Sequence, residues 1–142
     1  MCTLIGKCRK DLKSVCGYKI VVVDKHGNYY SPSTGIRYNI GKVKPLKNKG
    51  IHHGKEWSFP YSYNIWYRNA YAGYTTIFKT YESAFAELEH LLTLPNIDTD
   101  EIIIIEMELS KDLMHSSYKS HNTYSGKYII KMKKSHKWKS KE

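Results

Sequence analysis

Four consecutive isoleucines, at residues 102–105 in the stretch EIIIIEMEL, constrain this chain more than any other feature. The run has strand length, far below the roughly 18–20 apolar residues that a membrane helix needs. Successive side chains of a strand point to opposite faces, so a run that is apolar at every position requires cover on both sides. The stretch therefore reads as a central strand. A second apolar run, IVVV at residues 20–23, is of the same kind.

One segment has helical period. In TYESAFAELEHLL, residues Tyr81, Ala84, Phe85, Leu88, Leu91 and Leu92 fall on one face at spacings of three and four, while Glu82, Glu87 and Glu89 face water. Thr80 stands at the N-cap and Pro95 prevents continuation. The rest alternates strand and turn signals. Residues 18–23 lead into the turn DKHGN, and Tyr29 and Tyr30 begin the returning strand of a hairpin. SPSTG marks a second turn before a short strand at residues 36–40. Residues 43–55 read as a basic loop, GYTTIFKT as a strand, and residues 110–125 as a loop rich in Ser and His. GKYIIKMKK is the last strand, with Tyr128, Ile130 and Met132 on one side and Lys127, Ile129, Lys131 and Lys133 on the other. The expected fold is α+β: a single, mostly antiparallel sheet of five to seven strands with one main helix at about 81–93. Since that helix joins two strands, one pair could be parallel. The expected division is an N-terminal arm at 1–16, one domain at 17–134 and a basic tail at 135–142.

At 142 residues the chain suits one domain with a core of its own. Cys2, Cys8 and Cys16 match no common zinc spacing, and an odd count without a secretory signal points to reduced thiols in a cytosol. Neither a metal nor a cofactor is expected. Charge is arranged in blocks: residues 1–79 carry 14 Lys/Arg against 3 Asp/Glu, residues 82–112 carry 1 against 9, and residues 113–142 carry 8 against 1. Such a layout gives a folded surface a dipolar field, and its basic parts suit phosphate groups.

The densest chemical signal is WSFPYSYNIWYRNAYAGYTT at residues 57–76. Trp57, Phe59, Tyr61, Tyr63, Trp66, Tyr67, Tyr71 and Tyr74 share that stretch with a single charged side chain, Arg68. These rings either close a core or form a stacking platform. A base stacked on an aromatic ring gains about 1–3 kcal/mol, and neighbouring Lys or Arg side chains neutralise phosphates. The candidate ligand-binding set is Arg37, Lys42, His53, Trp57, Trp66, Tyr67, Arg68, Tyr71 and Lys79. Catalytic readings are thinner. His115 and His121 each precede a hydroxyl residue by two positions, and Glu106 and Glu108 share a strand face where they either act as an acid/base pair or pair with lysines. P-loop, dinucleotide and nucleophile-elbow motifs are absent.

The succession GYKIVVVDKHGNYYSPSTGIRYNIGK, GYTTIFKTYESAFAELEHLL, EIIIIEMEL and TYSGKYIIKMKK resembles small accessory proteins of phages and large DNA viruses. That resemblance implies a viral or prophage protein of the host cytoplasm, of a kind that counters host defence by binding proteins or signalling nucleotides. AGYTTIFKTYESAFAEL is also similar in rhythm to the strand–helix unit of the ADP-ribosyltransferase-like fold. That family's NAD-gripping residue has no equivalent around Tyr18–Lys19, so this likeness implies a scaffold without the activity. The expectation is a non-enzymatic module for a nucleotide-type ligand or nucleic acid. Two alternatives stand beside it: a protein–protein or virion-associated module with a host or viral partner or a second copy, and a nucleotide-processing enzyme.

Overall fold

The computed structural model describes residues 7–8, 13–32, 36–45, 49–52, 55–58, 72–93, 102–118 and 121–135. Its centre is the isoleucine run. Strand β9 (Ile102–Ser110) lies between β2 (Val15–Val23) and β12 (Tyr128–Lys134), antiparallel to both. Ile102, Ile104 and Ile105 are at most 5 % exposed, and burying a side chain of this size contributes about 1.5–3 kcal/mol. Period two then sorts the neighbours. Ile102 and Ile104 join Ile20, Ala84 and Leu88 in one cluster under the helix. Ile105, Met107 and Leu109 join Val15, Val21, Ile77, Leu113 and Ile129 in another on the opposite face.

The helix, α1 (Tyr81–Leu91), begins where Thr80 accepts a hydrogen bond from the Ser83 backbone N–H at 3.1 Å. It connects β8 (Thr75–Phe78) to β9 across β2, which pairs with both. Because β2 is antiparallel to each, β8 and β9 run the same way, with β2 between them. Every described pairing is antiparallel, so the parallel pair left open by the sequence is absent among the described residues. On the helix, Ala84 and Leu88 are buried, but Phe85 stays 42 % exposed and stacks on Tyr81 at 6.1 Å instead of entering the core.

The hairpin after β2 forms as read. Asp24 accepts from the backbone N–H groups of Asn28 and His26, from Asn28 Nδ2 and from the Tyr30 hydroxyl, at 2.8–3.1 Å. The Asn28 backbone bond leads the causes that hold its carboxyl down at about 2. Strand β3 (Tyr29–Tyr30) pairs with the end of β2 and with β4 (Arg37–Tyr38). β2 starts at Val15, two residues before the expected domain boundary, and β1 (Lys7–Cys8) pairs with β10 (Met114–Tyr118).

Two expected loops are strands. Residues 43–55 contain β6 (Lys49–His52), paired with β7 (Lys55–Ser58) as a separate two-stranded sheet. Residues 110–125 hold β10 and β11 (His121–Gly126), a hairpin whose Ser and Thr residues suit a pleated surface although they read as loop composition. The main sheet thus has ten strand segments, not five to seven, in the order β1-β10-β11-β8-β2-β9-β12-β5, where β5 is Gly41–Lys42 and β3 and β4 lie off this path. Part of the excess arises because two long strands bend and are divided: β9 continues into β10, and β11 into β12.

That order cannot be flat. β11 and β12 stand four positions apart, about 19 Å in a planar sheet at ~4.8 Å per strand. Only Lys127 lies between them, and two Cα–Cα steps reach at most about 7–8 Å. The sheet must curl until its ladder closes through β2, β9, β11 and β8. Gly126 sits at the bend, where a Cβ would come within 3.0 Å of Leu109 and Leu113 side chains. At Gly17 a Cβ would run into the Phe78 carbonyl and lie 2.8 Å from Ile77 Cδ1, so the absent side chain lets β2 and β8 meet.

Candidate functional site

The curl carries a line of residues across the face opposite the helix. On β10 and β11, His115 lies opposite Tyr124, and Tyr124 opposite Ile77 of β8. One step beyond the Tyr18–Phe78 bridge, Lys19 of β2 is level with Ile77, and on its other side it pairs with Ile105. The register extends the line to Lys7 opposite His115, and to Lys134 opposite Ile105. An apolar strip is therefore crossed by a series of basic residues and tyrosines.

Two units in this line have defined geometry. The Lys79 ammonium lies 5.1 Å from the centre of the Tyr124 ring and 3.2 Å from His115 Nδ1. Lys79 immediately follows β8, its backbone N–H donating to the Asn122 carbonyl. The second unit is Lys19, whose ammonium donates to the Thr76 carbonyl at 2.6 Å and lies 5.0 Å from the centre of the Tyr38 ring. Burial holds the Lys19 amine down at about 8 and pushes the Tyr38 hydroxyl up to about 12, the latter partly offset by a hydrogen bond with Ser31.

Lysine over tyrosine recurs. Lys111 covers Tyr128, and Lys127 covers Tyr74, each at 5.1 Å. Such contacts contribute about 0.5–1 kcal/mol when exposed and more when desolvated. A ring face under an ammonium is not open to a base. Tyr74, one of the eight rings of the aromatic stretch, is also buried. Each of these four tyrosines thus has one face covered by a lysine.

The sequence-derived ligand set is distributed unevenly. Lys79 lies in the line. Arg37 is exposed on β4, where its guanidinium donates to Asn28 Oδ1 at 2.8 Å. Lys42 is exposed on β5, opposite Tyr128 and beyond β12 in the ladder. Trp57 lies on β7, opposite Gly50. His53, Trp66, Tyr67, Arg68 and Tyr71 lie outside the described residues. Lys19, Tyr38 and Tyr124 fall outside the sequence-derived ligand set, and His115 enters only the catalytic reading. A lysine inside the apolar run GYKIVVV was the available signal for Lys19. The approach of Lys79 to His115 spans 36 residues and had no local signal.

The carboxylates lie on the helix side of the sheet. Glu106 is 3.6 Å from Lys133, and Glu108 accepts from the Ser14 hydroxyl at 2.7 Å and lies opposite Lys131. Cys16, opposite Glu108, is exposed, and its thiol is raised by desolvation first and then by Glu108 and Glu106. This is the reverse of what a nucleophilic or metal-binding cysteine requires. The face supports paired charges more readily than acid/base catalysis.

Among the described residues no three His, Cys, Asp or Glu side chains gather as a metal site, and no helix is long and apolar enough to cross a membrane. Compared with known proteins, the chain matches no family model, no curated protein and no solved structure.

Proposed function

We propose that this protein is a non-enzymatic binding module for an anionic, nucleotide-type ligand or nucleic acid, gripped through phosphate groups by the basic line of the curled sheet. The carrying observation is the Lys79 ammonium held over Tyr124 and against His115, on a line that also holds Lys19 and Lys134. An excess of ten positive charges supplies long-range attraction for such a ligand. Base stacking falls to the aromatic stretch 57–71, next to Arg68. On the resemblance to accessory proteins of phages and large DNA viruses, this activity would belong to the cytoplasm of an infected or lysogenic cell, where capturing a signalling nucleotide would counter host defence.

The test is equilibrium binding of a labelled oligodeoxythymidylate and of mononucleotides over a range of salt. Three phosphate contacts give a slope of log K on log salt of roughly −2 for a single strand. A binding constant that does not move with salt, or no binding at low salt, would overturn the reading.

One observation favours a protein–protein module instead. Phe85 is exposed on α1 near Glu82 and Glu89, which are also exposed, so an apolar ring lies in an acidic surroundings suited to a basic partner. If Phe85→Ser abolishes a self-association seen by light scattering and leaves oligonucleotide binding intact, the two roles are separate.

A further inference from the structure

Strand β12 keeps part of its backbone edge open, and the reason lies at Gly41. β5 runs antiparallel to β12 and pairs with it only at Tyr128 and Ile129. Were β5 longer, Ile40 and Asn39 would lie beside Ile130 and Lys131. Instead Arg37 and Tyr38 are held by β3, and the chain turns away at Gly41 with a φ of 121°. Ile40 and Ile130, next to the last pair, stay 57 % and 41 % exposed. Among the described residues no strand covers the outer edge of residues 130–134.

The ladder fixes which groups this edge presents. The Ser135 N–H donates to the Ile104 carbonyl, so the Ser135 backbone points at β9. Alternation then turns Lys133 and Lys131 inward as well, and turns the N–H and C=O of Met132 and Lys134 outward. Side chains set a second condition. Lys131 and Lys133 are exposed, stand opposite Glu108 and Glu106 and share their face of the sheet, with Lys133 3.6 Å from Glu106. A strand added outside β12 would meet these lysines from the other side. Carboxylates there would continue the alternation of charge across the sheet, whereas the same edge of a second copy would bring lysine toward lysine.

We infer that the open edge of β12 is a docking site for an acidic, extended polypeptide segment, which joins the sheet through Met132 and Lys134 and sets its carboxylates beside Lys131 and Lys133. A polypeptide suits this edge better than a nucleic acid. The edge presents donors and acceptors in turn, and a phosphate backbone answers only the donors. Strand addition does not depend on phosphate binding elsewhere on the sheet, so a failure of oligonucleotide binding would leave it standing.

The experiment uses the full chain and a fluorescein-labelled peptide of alternating Glu and Val, about six residues long, the length of an ordinary strand. Anisotropy should show saturable binding, and amide exchange followed by NMR should slow at Met132 and Lys134. A fully N-methylated peptide keeps the charge but has no donors, and should not bind. Lys in place of Glu in the peptide, or Lys131→Glu with Lys133→Glu in the protein, should weaken binding roughly tenfold or more. The Lys peptide should bind the doubly reversed protein, a rescue that a misfolded variant would not give. No binding of the Glu peptide, or equal binding of the N-methylated one, overturns strand addition. Equal affinity of the wild type for the Glu and Lys peptides overturns the acidic preference. Protection that spares Met132 and Lys134 overturns the location. Protection of these two amides by an oligodeoxythymidylate and not by the peptide, or in the free protein at a dimeric mass, would assign the edge to nucleic acid or to a second copy instead.

Discussion

Lys19 shows what one residue costs and gives. The unfolded chain keeps its proton up to the ordinary value of 10.5, whereas the folded protein keeps it only up to about 8. Between those values the unfolded state holds more protons, so stability rises with pH there, by up to roughly 3 kcal/mol if the shift is complete. Tyr38 works in the other direction. Its hydroxyl ionises near 10 when unfolded and at about 12 when folded, so its contribution is lost as pH rises above 10. The pair thus favours maximum stability near pH 10. Urea midpoints should climb from about pH 8 to about pH 10 in the wild type and stay level in Lys19→Met; an equal climb in the variant would remove Lys19 as the cause. Gly17 is as specific. Gly17→Ala meets the Phe78 carbonyl, which cannot swing aside as a side-chain tip could, and should cost roughly 1–3 kcal/mol by denaturant unfolding. A neutral result would mean that β2 and β8 do not approach this closely.

At the scale of elements, local signals served unevenly. The turn at residues 24–28, the helix start at Thr80 and the central position of β9 were legible because each depends on neighbours in sequence. β12 was not. Strict alternation put Ile130 with Tyr128 and Met132, but the register to β9 shifts between Ile129 and Lys131. That bulge places both Ile129 and Met132 on the core side and leaves Ile130 41 % exposed. The two isoleucines are therefore unequal. Ile129→Ala should lose about 2–5 kcal/mol and Ile130→Ala less than about 1 kcal/mol. Equal losses in thermal or urea unfolding would argue for regular alternation. Residues 110–125 differ from expectation for another reason: their composition reads as loop, yet polar side chains there pair between strands, as Ser125 of β11 does with Thr76 of β8, the two hydroxyls 2.8 Å apart.

The whole molecule has one evident liability and one consequence of closure. β12 pairs with β5 only at Tyr128 and Ile129, and among the described residues no strand covers the outer edge of residues 130–134. Lys131, Lys133 and Lys134 are exposed there, a common guard against edge-to-edge pairing. Lys131→Thr with Lys133→Thr should increase self-association in concentration-dependent light scattering; a mass matching the wild type at every concentration would show that the lysines do not guard it. Closure matters more for the site. From sequence alone came the α+β class, the helix, the central isoleucine strand and the basic character of the chain, since hydrophobic period, caps and charge are properties of residues a few positions apart. Tertiary structure alone decided that Lys79, Tyr124 and His115 meet and that four tyrosine rings each lie under a lysine. Those approaches depend on the register and curvature of a sheet whose partners are far apart along the chain, and no local pattern records either.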